Sequence, residues 1–319
     1  MNVTILGCGR WGTFLGWYAD MLGHEVMIWG RSTSKNLRQL RENRKNEYLK
    51  INNKILLSDS LSEAIKFSDY IIISINSQNL RELCRRINKL DIENKTFILA
   101  MKGIEKGTGL RLTQVFSQEI QQNVNLAIWV GPSQVQDLIN SIPNCMVISS
   151  SNIDITKNII SLFNSSLIRL YIGQDLIGNE VGAAAKNVIG IIAGMLDGLN
   201  YSSLKGALMA RGSREISRLV RAMGGNELTI YGLSHIGDYE STLFSKHSRN
   251  RAFGEAYIKK DKFEKLAEGV STLESIILLS KKYDVSMPIT EAVYSIIIDG
   301  KNPLSVLQDL FLRTTTYEF

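Results

Sequence analysis

The first half of the chain alternates short apolar runs with amphipathic windows of helical period. Seven runs have the length and the branched or aromatic content of strands, namely NVTIL, EVMIW, YIIISI, TFILAM, LAIWV, CMVISS and LIRLY. Between several of them lie helical windows such as FLGWYADMLG and LRELCRRINKL. A repeated βα unit predicts an α/β domain with a mostly parallel, Rossmann-like sheet.

From about Asp175 onward, strand patterns give way to long helical periodicities, as in LMARGSREISRLVRAMG and AEGVSTLESIILLSKKY. We therefore predict an all-helical second domain, joined to the first within YIGQDLIG, near residues 172–178. The predicted domains are residues 1–177 and 178–319. A chain of 319 residues, 44% hydrophobic and 21% charged, is long enough to form two cores.

Composition narrows the class of protein. The three cysteines are far apart and lack a CxxC or Cys/His pairing, so they indicate neither a disulfide framework nor a metal site and fit a reducing compartment. A strand pattern begins at once, without a secretory leader before it, so we expect a cytoplasmic protein. The net charge of +6 is spread over 37 basic residues among 31 acids, which favours a solvated basic surface over nucleic-acid binding.

The stretch VGAAAKNVIGIIAGMLDGLN, residues 181–200, is the nearest approach to a membrane span. Lys186, Asn187 and Asp197 interrupt it, whereas a span needs about 20 mostly apolar residues. We interpret it as a buried helix that carries a lysine near its beginning.

A glycine-rich motif, Gly7-Cys8-Gly9-Arg10-Trp11-Gly12, directly follows the strand NVTIL and opens a helical window. Gly7 suits a tight turn, Gly9 lets the backbone approach a pyrophosphate, and Gly12 permits close packing of helix on strand. The N–H groups at the start of the helix would receive the phosphates. The motif in this context predicts dinucleotide binding.

The end of the second strand bears on which dinucleotide is bound. About 20 residues after the motif, an NAD site places Asp or Glu on the ribose 2′-hydroxyl. This chain has Trp29-Gly30-Arg31-Ser32 there. Because Arg31 can pair with a 2′-phosphate, the sequence favours NADP without excluding NAD. The alternative is that Arg31 is a solvated loop residue.

Two later strands end in polar residues at the edge where α/β sheets bind ligands. TFILAM runs into Lys102-Gly103, and LAIWV runs into Gly131-Pro132-Ser133. Lys102 alone would be equally consistent with a surface residue. Together with Ser133 and the glycine motif, it predicts a single crevice.

These residues carry a family resemblance. The chain resembles the bacterial-type NAD(P)-dependent glycerol-3-phosphate dehydrogenases from GCGRWGT at residue 7 to Met287-Pro288-Ile289, with AMKGIEKGTG, GPS, GNEVGAAAKNVI, LMARG, GLSHIGDYEST, SRNRAFG and AEGVST in the family's order. The resemblance implies a dinucleotide-binding domain followed by a helical substrate domain. It also implies reversible reduction of dihydroxyacetone phosphate to sn-glycerol 3-phosphate, which supplies glycerophospholipid synthesis.

By this resemblance, Lys186 is the catalytic acid/base. Small residues lie three or four positions from it on the predicted helix, namely Gly182, Ala183 and Gly190. They would leave its helix face open to a ligand. Desolvation and a second cation, Lys102, would weaken the preference of Lys186 for its charged form. The alternatives are that Lys186 snorkels to solvent or pairs with Glu180.

The resemblance also implies the remaining site residues. Asp238 would hold the substrate and Lys186, and Lys102 would polarise the ketone oxygen. Ser248, Arg249 and Asn250 would clamp the phosphate, since they supply a forked guanidinium and neutral donors. Gly131 and Ser133 would also surround the substrate. The residues implied around the cofactor are Gly7, Gly9, Arg10, Trp11, Gly12, Arg31, Lys102, Val135, Arg249, Leu266 and Glu268.

Three positions depart from the family's usual sequence. They are Asn76-Ser77 after the strand YIIISI, Val135 two residues after the serine of GPS, and Ser202-Ser203 before LMARG. They belong to the cofactor rim and to helix packing, so they bear on cofactor affinity more than on the type of reaction.

Alternative interpretations remain open on the residues alone. His235 and His247 flank the Asp238 region, and because histidine is the proton donor in many dehydrogenases, the residues alone divide the acid/base role between Lys186 and these histidines. The resemblance favours the lysine.

Two other functions fit the same architecture. One is a dehydrogenase of small β-hydroxyacids, which also uses a helix lysine and asparagine. The other is a non-catalytic nucleotide-sensing or nucleic-acid-binding protein, against which the dispersed charge argues. The oligomeric state is open, a homodimer being one option.

Overall fold

The computed structural model describes residues 1–264, 267–315 and 317–318. The chain folds as two compact units. The first comprises Met1–Lys102 and Leu112–Leu176, and the second comprises Gly103–Arg111 and Ile177–Phe319. The sequence led us to a single boundary between residues 177 and 178, which leaves residues 103–111 in the first domain. The structure corrects that assignment.

Residues 103–111 join the second unit because their side chains and backbone bind there. Ile104 is fully buried in an apolar cluster with Val181 and Ile276. The Ser275 hydroxyl donates to the Glu105 carbonyl oxygen at 3.1 Å. One apolar residue in a loop does not specify which core will bury it, so the local pattern could not indicate this.

An eight-stranded sheet forms the first unit, with strand order β3-β2-β1-β4-β5-β6-β7-β8. All neighbours are parallel except β6 and β7, which pair antiparallel. The strands are β1 Asn2–Leu6, β2 Glu25–Trp29, β3 Leu56–Ser58, β4 Tyr70–Ile73, β5 Thr96–Leu99, β6 Asn125–Val130, β7 Asn144–Ser149 and β8 Ile168–Gly173. The seven predicted strands and the Rossmann-like fold class are confirmed. Strand β3 was missed because three residues show no usable periodicity.

Seven α-helices accompany the sheet among the described residues. They are α1 Arg10–Met21, α2 Lys35–Asn43, α3 Leu61–Phe67, α4 Leu80–Ile87, α5 Leu112–Glu119, α6 Val135–Ile139 and α7 Ile153–Phe163. Strand β1 lies between β2 and β4, so the chain reverses its direction of sheet growth at β1. Ligands of open α/β sheets bind at such a switch point, outside the carboxyl ends of the strands. The glycine motif follows β1 at this edge.

Among its described residues, the second unit contains helices and no strand. Its α-helices are α8 Leu176–Gly198, α9 Lys205–Ala222, α10 Arg249–Lys259, α11 Glu268–Lys282, α12 Pro288–Ile297 and α13 Pro303–Phe311. Helix α8 is, among the described residues, the one helix long and apolar enough to cross a membrane, and 89% of its apolar window is buried inside the protein. Helix α8 is thus long and apolar because it is a buried core helix.

Helices α8 and α10 cross at backbone contact. A Cβ atom added to Gly194 would lie 1.8 Å from the Arg251 carbonyl oxygen, and one added to Gly254 would lie 1.9 Å from the Ile191 carbonyl oxygen. Any larger residue would force the helices apart. This close crossing brings the first turn of α10, which carries Ser248–Asn250, against α8.

Candidate active site

The glycine motif adopts the geometry expected of it. Gly7 has φ of +129°, and a Cβ atom there would lie 2.1 Å from the Ser74 carbonyl oxygen. A Cβ atom on Gly12 would lie 2.1 Å from the Gly7 carbonyl oxygen, whereas one on Gly9 would meet nothing within 4 Å. Gly9 caps helix α1 without a side-chain hydrogen bond. The start of α1 is therefore shaped for the pyrophosphate of a dinucleotide.

Arg31 projects from the turn that follows β2. The Ser34 N–H donates to the Arg31 carbonyl oxygen at 2.8 Å, and the Ser34 hydroxyl accepts from the Leu37 N–H at the start of α2. These bonds order the backbone of the turn while the Arg31 side chain is exposed. The basic group is thus presented from a fixed turn at the same sheet edge as the glycine motif.

Lys102 links the ends of two neighbouring strands. Its Nζ donates to the Gly131 carbonyl oxygen at 2.6 Å and to the Ser133 hydroxyl at 3.2 Å. Gly131 has φ of +129° and packs against Met146. A Cβ atom added to Gly131 would lie 3.0 Å from the Cα atom of Met146. Lys102 and Ser133, two of the residues expected to converge, are therefore in contact within the first unit.

Lys186 forms a buried ion pair in the second unit. Its Nζ lies 2.8 Å from Oδ2 of Asp238 and donates to the Thr242 hydroxyl at 2.6 Å. Lys186 is 5% exposed and Asp238 is 0% exposed. Helix α8 begins at Leu176, so Lys186 lies near its middle. We expected Lys186 near the beginning of the helix.

Two hydroxyl groups hold Asp238 in place. The carboxylate accepts a hydrogen bond from the Ser241 hydroxyl. The Thr242 hydroxyl donates to the Asp238 carbonyl oxygen at 2.7 Å. Thr242, which we did not single out from the sequence, therefore bridges the lysine and the turn that carries its partner. The only sequence signal was a threonine one helical turn after Asp238 in GDYEST.

The proposed phosphate clamp lies at the start of α10. Ser248 caps the helix, since its hydroxyl accepts from the Arg251 N–H at 3.3 Å. The Asn250 amide oxygen accepts from the Gly269 N–H at 2.9 Å, which directs the amide NH₂ elsewhere. Arg249 is exposed. Helix N–H groups, an amide and a guanidinium together suit an anion.

Comparison with known proteins identifies the family of the chain. The family model described as NAD-dependent glycerol-3-phosphate dehydrogenase N-terminus matches residues 2–156, and the C-terminus model of the same family matches residues 175–308. The chain belongs to the NAD-dependent glycerol-3-phosphate dehydrogenase family.

Curated glycerol-3-phosphate dehydrogenases [NAD(P)+] are similar along the full chain. One from Clostridium botulinum (strain Eklund 17B / Type B) is 37% identical over 98% of this chain and 97% of its own length. One from Bacillus pumilus (strain SAFR-032) is 36% identical over 99% and 96%. The crystal structure of glycerol-3-phosphate dehydrogenase from Coxiella burnetii matches with a TM-score of 0.91 and 27% identity, over 98% of this chain and 99% of that one. Bacterial members of the glycerol-3-phosphate dehydrogenase family thus share both the sequence and the fold.

Some residues that the glycerol-3-phosphate dehydrogenase resemblance implied around the cofactor have other packing roles. The Arg10 guanidinium lies 4.4 Å from the ring centroid of Tyr48, and Trp11 stacks on Phe14 at 5.2 Å. Val135 is 2% exposed, packs in the core of the first unit and is the first residue of α6. Leu266 lies outside the described residues.

The open helix face expected beside Lys186 is not present. A Cβ atom on Gly182 would meet Ile230 at 3.0 Å and His235 at 3.2 Å, and one on Gly190 would meet Thr242 at 2.8 Å. The two glycines therefore make room for the protein's own chain, Ile230 and His235 beside Gly182 and Thr242 beside Gly190. This close approach brings the segment that carries Asp238 and Thr242, the two partners of Lys186, against α8.

The partner of Lys186 is the carboxylate of Asp238, the residue that the resemblance placed beside it. The buried side chain of Glu180, the alternative partner for Lys186, contacts the partly buried guanidinium of Arg111. Glu268 is half-buried at the first residue of α11, next to the Gly269 N–H that binds Asn250.

The two rival histidines differ in their surroundings. His235 is fully buried with both ring nitrogens bonded, Nδ1 at 2.8 Å from the Gly182 carbonyl oxygen and Nε2 at 2.7 Å from the Tyr239 hydroxyl. Burial lowers the pKa of His235 to about 4. His247 is exposed on the loop before α10. Neither matches the buried, charge-paired position of Lys186.

Proposed function

We propose that this chain catalyses the reversible reduction of dihydroxyacetone phosphate to sn-glycerol 3-phosphate with NADPH or NADH. The observation that carries the proposal is the buried Lys186–Asp238 pair beside an anion-suited helix start. The names of the similar proteins support the same substrate. We propose that the reaction takes place in the cytoplasm, where it would supply glycerophospholipid synthesis.

The first unit would hold the dinucleotide. The pyrophosphate would contact the N–H groups at the start of α1, beside Gly9, where the backbone is open. When bound, the reduced nicotinamide would supply a hydride to the ketone carbon. Lys102 would direct its ammonium group at the ketone oxygen, from the position where Gly131 and Ser133 hold it.

Lys186 would move the proton. Its ammonium form is the one that a general acid must begin with, and the Asp238 carboxylate at 2.8 Å attracts that form. The Thr242 hydroxyl orients the Nζ atom. As the ketone oxygen gains negative charge, Lys186 would transfer a proton to it and become a neutral amine. In the reverse direction, the amine would take the proton from the hydroxyl of the substrate.

The start of α10 would hold the substrate phosphate. Asn250 is fixed through its amide oxygen, so its NH₂ group is the end oriented to donate. Ser248 stands at the cap and Arg249 supplies a fork of donors from an exposed position. The helix dipole adds to the attraction for a dianion. A carboxylate, with fewer acceptor oxygens and a single negative charge, would bind less well to these donors at the start of α10.

We further propose that NADPH is preferred over NADH. No carboxylate stands at the end of β2, where an NAD site would place one. Arg31 and Lys35 are both exposed there, and Ser32 adds a hydroxyl. A 2′-phosphate would therefore meet donors instead of a repelling acid.

The test is the change in nicotinamide absorbance when dihydroxyacetone phosphate is added to enzyme and reduced cofactor. We expect oxidation with dihydroxyacetone phosphate and little with unphosphorylated dihydroxyacetone at the same concentration. Oxidation with a small β-ketoacid alone would favour the hydroxyacid function instead. The Ser248→Ala/Asn250→Ala double variant separates these functions, since it should lose the phosphorylated substrate and leave a carboxylate substrate unaffected.

A further inference from the structure

A short chain of hydrogen bonds links three helical segments around the Lys186–Asp238 pair. His235 bonds through Nδ1 to the Gly182 carbonyl oxygen at 2.8 Å and through Nε2 to the Tyr239 hydroxyl at 2.7 Å. The Tyr239 oxygen lies 3.1 Å from the Ser213 hydroxyl. The chain thus runs from α8 through the 235–239 segment to α9.

The carbonyl oxygen of Gly182, at one end of this chain, fixes which atom carries each proton along it. A carbonyl oxygen can only accept, so His235 must carry its proton on Nδ1. The neutral ring then presents a lone pair on Nε2, and Tyr239 donates its O–H to it. Ser213 in turn donates to the Tyr239 oxygen. A single set of donor and acceptor roles therefore satisfies all the groups of the chain at once.

The chain fastens both ends of the turn that carries Asp238. His235 precedes the 3₁₀ turn Ile236–Asp238, and Tyr239 follows it directly. His235 ties the front of the turn to Gly182, which stands one helical turn before Lys186 on α8. Tyr239 ties the back of the turn to α9 through Ser213. Asp238 lies between these two attachments, with no exposed surface.

We propose that His235, as its Nδ1–H tautomer, is a positioning residue that sets the distance and direction of Asp238 relative to Lys186. The proposal rests on the proposed function, because it concerns the same proton-transferring lysine. His235 does not touch the substrate in this proposal and exchanges no proton during turnover. Its imidazole has the right span to reach the backbone of α8 on one side and Tyr239 on the other.

Three variants test the proposal. His235→Ala removes both bonds. His235→Asn keeps a donor near the Nδ1 position and so can retain the bond to Gly182. Tyr239→Phe keeps the ring but removes the donor to Nε2. A displacement of about 1 Å in a catalytic group can cost roughly 100-fold in rate, so we expect kcat to fall by about 10- to 100-fold in His235→Ala and less in His235→Asn. The KM for the cofactor should not change.

A pH profile separates positioning from a merely structural role. The charged groups that act on His235 are Lys186 from α8 and Asp238 from its own segment, and the Tyr239 hydroxyl bonds to its ring. Glu215 from α9 acts on Tyr239. If the Lys186–Asp238 geometry loosens, the pH midpoint of kcat/KM should move in His235→Ala and return toward the wild-type midpoint in His235→Asn. Loss of thermal stability alone would leave that midpoint in place.

The matched control is His24→Asn in the first unit. His24 also bonds a backbone carbonyl through its ring, at 3.1 Å from Leu162. We expect this variant to change Tm without changing kcat or the pH profile. Nitrogen NMR of the wild-type protein should show His235 neutral with its proton on Nδ1 at neutral pH.

The proposal is overturned by either of two results. One is a folded His235→Ala or Tyr239→Phe protein whose kcat and pH midpoint match the wild type. The other is an NMR spectrum with a cationic His235 or a proton on Nε2. If His235→Ala does not fold, the His235→Asn and Tyr239→Phe comparison still decides. A wild-type protein inactive on dihydroxyacetone phosphate would contradict the proposed function instead, and the NMR result would stand apart from it.

Discussion

The ammonium nitrogen of Lys186 lies 2.8 Å from the carboxylate of Asp238, and solvent reaches almost nothing of either side chain. Two opposite charges buried together are stable only while both are present, because each compensates for the lost hydration of the other. The pair therefore affects both catalysis and stability, and the two effects can be measured separately.

Lys186→Met removes the proton donor while keeping a flexible apolar stem of similar length. We expect kcat to fall by about 10²- to 10⁴-fold, the usual contribution of a general acid, with cofactor affinity retained. Steady-state turnover and a cofactor titration check this. The matched control is Lys205→Met on α9, which also removes a lysine buried against an aspartate. Near-wild-type turnover in Lys186→Met, with activity lost in His247→Ala, would contradict the assignment.

Asp238→Asn should destabilise the protein by about 3–5 kcal/mol, because it leaves the Lys186 charge buried without its counterion. Combining it with Lys186→Met should recover part of that loss, since the double variant has no uncompensated charge. Urea unfolding of the wild type, both single variants and the double variant measures the coupling. Additive losses would mean that the two groups do not interact in solution.

Arg249→Lys keeps the charge but loses the forked guanidinium. We expect KM for dihydroxyacetone phosphate to rise, and KM for the nucleotide to rise as well, with a smaller effect on kcat. Arg221→Lys, an exposed arginine at the end of α9, is the control and should leave both constants unchanged. If Arg249→Lys behaves like that control, Arg249 does not belong to the site.

Arg31→Asp reverses the charge at the end of β2. A charge-assisted contact with the 2′-phosphate corresponds to roughly 10- to 150-fold in affinity before solvent screening reduces it. We expect a lower kcat/KM for NADPH and an equal or higher value for NADH, measured at fixed ionic strength. Arg38→Asp makes the same charge change on the exposed side of α2 and should have little effect. A wild-type preference for NADH would refute the proposed selectivity.

Glu215 introduces a pH dependence of stability. It is buried against the start of α12, where its carboxylate accepts from the N–H groups of Ile289 and Thr290 and from the Thr290 hydroxyl. Burial raises the pKa of Glu215 to about 7 from its ordinary 4.5.

Between those two pH values the folded protein binds the Glu215 proton more tightly than the unfolded chain does, so this stabilising contribution is lost as pH rises from about 4.5 to about 7. The expected loss is roughly 3 kcal/mol. His235 acts in the opposite direction, since burial lowers its pKa from 6.5 to about 4 and its contribution is gained over that rise.

Glu215→Gln should therefore have a stability that rises with pH where the wild-type curve is flatter. Denaturant unfolding of both proteins across this pH range tests the sign. Parallel curves for the two proteins would show that Glu215 does not titrate in the folded state as described.

The sequence by itself determined the features that depend on local backbone geometry and on periodicity. Short continuous apolar runs predicted seven of the eight strands, because a strand buried in a parallel sheet presents apolar side chains on both faces. The glycine motif indicated its own geometry, since Gly7 and Gly12 stand where a Cβ atom would collide with backbone. Resemblance to a known family then indicated Lys186 as the catalytic acid/base.

Only the tertiary structure decided which groups meet. Thr242 contacts Lys186 from 56 positions away, and the glycines around Lys186 admit this segment rather than a ligand. Residues 103–111 join the helical unit through Ile104, although they follow a strand of the sheet. These pairings depend on how whole helices cross and on which buried charges can be compensated. Such terms are sums over the packed molecule, so no short window of the sequence contains them.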